Sequence, residues 1–135
     1  MLLSADYSQI EVRLMAHFSG DSSLIELLSR RSGDLFKTIT SRWTGVAETS
    51  ITAKQREHTK RLVYGILYGM GINALAEQFE CTVAEAAMKY NRFKSAFPGV
   101  ANWLKEAVKN CREQGYVLSS SRMKSCVILL GLGTI

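Results

Sequence analysis

Between Arg56 and Gly71 the chain places Arg56, Lys60, Tyr64 and Tyr68 at successive steps of four. On a helix each such step advances by only about 40°, so the four side chains fan over roughly 120° of one face. Two cations lead and two phenols follow. Just ahead, Thr52-Ala-Lys-Gln55 forms a capping box, in which the hydroxyl and the amide satisfy orphan backbone donors of the helix that begins there. The pattern predicts a helix from about Ala53 to Met70, ended by Gly71 and Asn73. Two readings of its face are open. It is either an amphipathic stripe with half-buried tyrosines and solvated cations, or a nucleotide grip with phosphates on Arg56 and Lys60 and a base against a tyrosine. Gly65 and Gly69, each directly after a tyrosine, would let another chain or a base approach the backbone.

The chain is long enough for one domain at 135 residues, and its net charge of +5 favours an anionic partner, nucleic acid or nucleotide first. Cys81, Cys111 and Cys126 are odd in number and widely spaced, which supports neither a zinc site nor a disulfide framework and points to a reducing, intracellular compartment. Met1 to Ala5 lacks the length and positive flank of a signal peptide, and the apolar run from Cys126 to Ile135 is about half a membrane span. No membrane partner is expected.

In chain order, Met1 to Ala5 reads as a strand that turns into a helix carrying Ile10, Leu14, Met15 and Phe18. Asp6 sits at that junction, where a sheet aims side chains rigidly; helix capping by Asp6 or Ser8 is the plainer role. Gly20-Asp21 closes this helix and opens a short one with Leu24, Ile25, Leu27 and Leu28 inward. Gly33-Asp34 opens another with Leu35, Ile39 and Trp43, so that Asp21 and Asp34 both read as caps. Thr82-Val-Ala-Glu85 is a second capping box, before a helix with Ala86, Tyr90, Phe93 and Phe97 on one face. Pro98-Gly99 breaks it. Val100, Trp103, Leu104, Ala107, Val108 and Cys111 define the last amphipathic helix, with Gly115 at its C-cap and Tyr116 to Ser120 extended. His17 and His58 have no metal or triad spacing and read as structural.

Two stretches resemble one family. Asp6-Tyr7-Ser8-Gln9-Ile10-Glu11-Val12-Arg13 is similar to motif A of the A-family DNA polymerases, and Arg56-x-x-x-Lys60-x-x-x-Tyr64-Gly65-x-x-Tyr68-Gly69 to their motif B. His17-Phe18-Ser19-Gly20-Asp21, Phe97-Pro98-Gly99 and Gly115-Tyr116-Val117 extend the likeness from Leu2 to Val117. Phe36, where bacterial members carry histidine, inclines it to the polymerase theta type. The resemblance implies that Asp6 and the Tyr7 carbonyl bind Mg²⁺, of which the intact enzyme uses two ions. It implies that Glu11 lies against the sugar and excludes a 2′-hydroxyl, with Tyr7 and Gln9 as further substrate-binding positions. Arg56 and Lys60 would hold the triphosphate, and Lys60 would donate a proton to the leaving pyrophosphate. Tyr64 would stack on the incoming nucleotide and relax discrimination at the 3′ position, where many members have phenylalanine. Tyr68 would contest the templating position.

The chain departs from the family pattern as well. The second catalytic carboxylate would come from a His-Asp-Glu motif, yet His17 and His58 are followed by Phe18 and Thr59. After Val117 the family continues with an arginine-rich run, whereas residues 118–135 form a divergent apolar tail. The expected fold is mainly α: helical fingers with one N-terminal palm strand, residues 1–117, a fragment of an α+β polymerase right-hand fold. The expected function is template-directed DNA synthesis on a DNA primer-template from deoxynucleoside triphosphates, in repair and in the nucleus, as part of a larger polymerase. The isolated chain is expected to be inactive. The alternatives are a non-catalytic nucleotide- or DNA-binding fragment and a truncated product without function.

Overall fold

The helices of this chain start and stop on identifiable residues. The computed structural model describes residues 8–30, 33–114, 117–118 and 124–125. Among them are seven α-helices: α1 (Ile10–Ser19), α2 (Ser22–Ser29), α3 (Leu35–Thr44), α4 (Ala53–Leu67), α5 (Ile72–Gln78), α6 (Val83–Ala96) and α7 (Pro98–Gln114). The two-residue strands β1 (Val117–Leu118) and β2 (Lys124–Ser125) pair antiparallel, Val117 opposite Ser125. The extended stretch expected around Tyr116 to Ser120 is present at β1. The expected palm strand at Met1 to Ala5, the Gly115 cap and most of the tail lie outside the described residues.

Both capping boxes form, Thr52 with Gln55 ahead of α4 and Thr82 with Glu85 ahead of α6. Asp34 accepts the amides of Phe36 and Lys37. Asp21 accepts the amide of Leu24, as expected of a cap. Its other oxygen, Oδ2, also accepts the amides of Gly99 at 2.7 Å and Val100 at 3.3 Å. One carboxylate, only 3% exposed, therefore caps α2 and α7 together. Gly99 is required there, because a Cβ on it would lie 2.8 Å from the Cα of Asp21. Among the described residues no side chain caps α1: its N-cap is Gln9, in a left-handed conformation with φ 50° and no side-chain bond, so Ser8 does not cap it, and Asp6 lies outside the described residues.

Several local expectations change. α4 stops at Leu67, earlier than Met70, because Gly69 turns left-handed at φ 72° and the Met70 amide bonds back to the Gly65 carbonyl. Gly71 and Asn73 do not end α4; Gly71 is the N-cap of α5 and Asn73 lies within it. Ile25 faces solvent, and so do Ile10, Leu14 and Phe18, at 36–44% exposure, while Val12, Met15 and Ala16 fill the inner face of α1. The face of α1 that turns inward is thus the one with smaller apolar side chains.

The core joins Val12 and Met15 of α1, Leu24 of α2, Phe36 and Ile39 of α3, Leu62, Val63 and Ile66 of α4, Leu75 of α5, Phe93 of α6 and Phe97 and Val100 beyond it. α3 and α4 are also locked by polar groups. Trp43 donates its indole N–H to Thr59 Oγ1 at 3.0 Å, and that hydroxyl lies 2.7 Å from Thr40 Oγ1, which in turn bonds the Phe36 carbonyl. Thr40 and Thr59 are fully buried, so the pairing is needed to offset their desolvation. This lock sets the rotation of α4 about its axis and hence which of its residues face outward.

Candidate functional site

Rotation of α4 places Leu62, Val63 and Ile66 in the core and leaves Arg56, Lys60 and Tyr64 partly exposed, with Tyr68 at its C-terminal end 68% exposed. The tyrosine rings stack at 6.3 Å with an interplanar angle of 15°. Behind them Phe36 from α3 packs 6.0 Å from the Tyr64 ring and 5.7 Å from the guanidinium carbon of Arg56. Phe36 is almost wholly buried, so it forms a fixed floor between the cationic and the aromatic halves of the face.

The predicted residues divide between two concavities. Arg56 and Gln9 line a cleft of about 310 Å³ with Ser8, Arg13, Arg30 and Asp34 among its other walls. Lys60, Tyr64 and Tyr68 line a shallower groove of about 230 Å³ with Gly65, Met70 and Gln78. Glu11 lies in the first turn of α1, partly exposed. Asp6 and Tyr7 lie outside the described residues. A third concavity carries Glu77, Glu80 and Glu85 and is electrostatically unsuited to an anion.

Arg56 is not a free cation. Its Nε donates to Asp34 Oδ2 at 2.6 Å. Burial pushes the Asp34 carboxyl up, but the Arg56 hydrogen bond and charge and the Lys37 and Phe36 amides together hold it below its ordinary value. Sequence reasoning saw Asp34 only as a cap; the tie to Arg56 spans 22 residues and no local spacing signals it. Arg13, at the end of the motif A string, and Arg30 also line the cleft that Arg56 borders. Lys60 forms no ion pair among the described residues, which leaves it the less encumbered of the two motif cations.

The glycines do something other than expected. Gly65 is buried and its missing Cβ makes room for Leu75, whose Cδ2 would lie 2.9 Å away, so the close approach is made by α5. Gly69 supplies the left-handed turn that leaves Tyr68 at the rim. His58 packs against Phe79 at 5.4 Å, and burial, followed by the charges of Lys89, Lys54 and Arg61, lowers its pKa from the ordinary 6.5. His17 lies edge-on to Phe18. His58 is half-buried, whereas His17 is exposed.

The described residues do not make a magnesium site by themselves. No group of three His, Cys, Asp or Glu side chains converges among them, and the carboxylates of Asp21 and Asp34 are committed to backbone amides and Arg56. What they can do is bind: a cationic cleft, a lysine and a stacked aromatic pair in succession suit an anion joined to a flat ring. No described helix is long and apolar enough to cross a membrane.

A family model described as DNA polymerase family A matches residues 1–128. DNA polymerase theta of Mus musculus is 38% identical over 117 residues, covering 87% of this chain and 5% of the relative. The Drosophila melanogaster theta enzyme is 40% identical over 116 residues, covering 86% and 6%. DNA polymerase I of Mycobacterium bovis is 37% identical over 115 residues, 85% of this chain and 13% of the relative. Among solved structures, the POL domain of Pol1 from M. smegmatis, in complex with DNA primer-template and dNTP, superposes with a TM-score of 0.81 at 34% identity. It covers 88% of this chain and 21% of that one. The chain thus spans a small part of the length of each relative.

Proposed function

This chain belongs to DNA polymerase family A, and on that premise we propose that its helices are the fingers that hold an incoming deoxynucleoside triphosphate during template-directed DNA synthesis. The observation that carries the reading is the outward face of α4. Lys60 stands one turn from Tyr64, which stacks on an exposed Tyr68, above a rigid floor of Phe36. Lys60 and Arg56 meet the triphosphate, a role their charge suits because negative charge grows on the leaving pyrophosphate. Lys60 also donates the proton to that group. Tyr64 stacks on the nucleotide and Tyr68 borders the template, with Gln9 and Glu11 toward the sugar and phosphates. A primer-template and dNTP are present in the complex of the M. smegmatis relative, which supports the same partners here. Asp6 and the Tyr7 carbonyl are assigned to Mg²⁺ by motif A, and the metal supplies charge neutralisation when bound. If the likeness to the theta type extends to its role, the parent polymerase works in DNA repair and in the nucleus.

The 135 residues hold the nucleotide without completing the reaction, since the sequence has no His-Asp-Glu motif for a second catalytic carboxylate. The test is a titration of the full chain with a fluorescent dATP analogue at two salt concentrations, beside a primer-extension assay. Saturable binding weakened by salt, by Lys60→Ala and by Tyr68→Ala is expected, with no extension. Absence of binding at low salt sinks the nucleotide reading. Primer extension abolished by Asp6→Ala overturns the inactivity.

A further inference from the structure

The contact between Arg56 and Asp34 is made through one edge of the guanidinium. Nε donates to Oδ2, and Nη1 and Nη2 have no acceptor among the described residues. Asp34 is held in turn, because Oδ1 accepts the amides of Phe36 at 3.0 Å and Lys37 at 3.2 Å. The carboxylate cannot swing away without uncapping α3. The Phe36 ring, 5.7 Å from the guanidinium carbon, limits the tilt of the plane. A guanidinium gripped at Nε and flanked by a ring keeps its Nη fork for another anion, and the cleft it borders with Gln9 and Arg13 is where that anion would sit.

We propose that Asp34 is a positioning residue for nucleotide binding, which aims the fork of Arg56 at the triphosphate. This rests on the reading of Arg56 as a triphosphate ligand. The opposite role, a counter-ion that masks Arg56, fits less well: a masking carboxylate would occupy the Nη edge. Pre-orientation of the guanidinium lowers the ordering cost of the grip, so its loss weakens binding without removing the charge.

The experiment is competition of dATP, and separately of deoxyadenosine, against a fluorescent dATP analogue on the full chain. Wild type is compared with Asp34→Asn, Arg56→Ala and the double variant. Asparagine keeps an oxygen for the two capping amides but presents no counter-ion; Asp34→Ser, a capping residue also lacking charge, is the second variant should Asp34→Asn fail to fold. Asp34→Asn should weaken dATP binding about 3–10-fold, leave deoxyadenosine unchanged and have no further effect in the Arg56→Ala background. Unchanged or tighter dATP binding by Asp34→Asn, with Arg56→Ala still weakened, overturns the positioning role and leaves Arg56 as a ligand. An equal loss for deoxyadenosine, or in the Arg56→Ala background, makes Asp34 merely structural. If Arg56→Ala itself binds dATP as the wild type does, the triphosphate reading fails and this proposal with it.

Discussion

Replacing Asp21 by alanine should cost a large share of the stability of the fold, because one buried carboxylate serves two helices. Three amides lose their acceptor at once: Leu24 at 2.9 Å, Gly99 at 2.7 Å and Val100 at 3.3 Å. A helix cap contributes about 1 kcal/mol, and this one serves two helices. The site is 3% exposed, so water cannot readily replace the carboxylate, and buried donors left unpaired cost about 1–3 kcal/mol each. The sum, discounting the long third bond, is about 3 kcal/mol. For a chain of this length one kcal/mol moves Tm by about 3–4 °C, so Asp21→Ala should lower Tm by about 10 °C. Thermal unfolding followed by far-ultraviolet circular dichroism reads this directly. Asp21→Asn, which keeps one acceptor oxygen, should lose about half as much. A drop of less than about 3 °C for Asp21→Ala would refute the reasoning, since it would mean that the amides find other partners when the carboxylate is gone.

Gly99→Ala should destabilise by about 2 kcal/mol, because its Cβ meets the backbone of Asp21 and neither helix can retreat without parting from the core; urea denaturation measures it. Thr59→Val removes the acceptor of the Trp43 indole and the partner of Thr40, so a loss of about 1–3 kcal/mol is expected, with a shift in tryptophan emission. Stability should fall in two acid steps. His58 has a depressed pKa, so its contribution is complete above the unfolded value near 6.5 and is lost as pH falls through the lower folded value; His58→Gln should remove this step. Asp34, also depressed, contributes above its ordinary 3.8 and loses that contribution as pH falls through its folded pKa, a step that Asp34→Asn should abolish. Urea midpoints between pH 7 and pH 3 distinguish the two.

Sequence alone determined the helices whose ends carry their own chemistry. The two capping boxes and the caps at Asp21 and Asp34 all rest on bonds between residues within a turn of one another. It also determined the family, because motif A and motif B are contiguous strings and contiguous strings survive without any knowledge of the fold. Tertiary structure decided what those same residues meet. That Asp21 holds Gly99 and Val100, that Asp34 grips Arg56 and that Gly65 admits Leu75 depend on separations of 10 to 79 residues, over which no periodicity operates. It decided as well which side of α1 turns inward. Ile10, Leu14 and Phe18 form as good a stripe as Val12, Met15 and Ala16, and only close packing against α2 and α7 selects the second. The nucleotide face of α4 belongs to both levels. Its residue types and spacing are local, but its outward orientation comes from the buried hydroxyls and indole that lock α4 against α3.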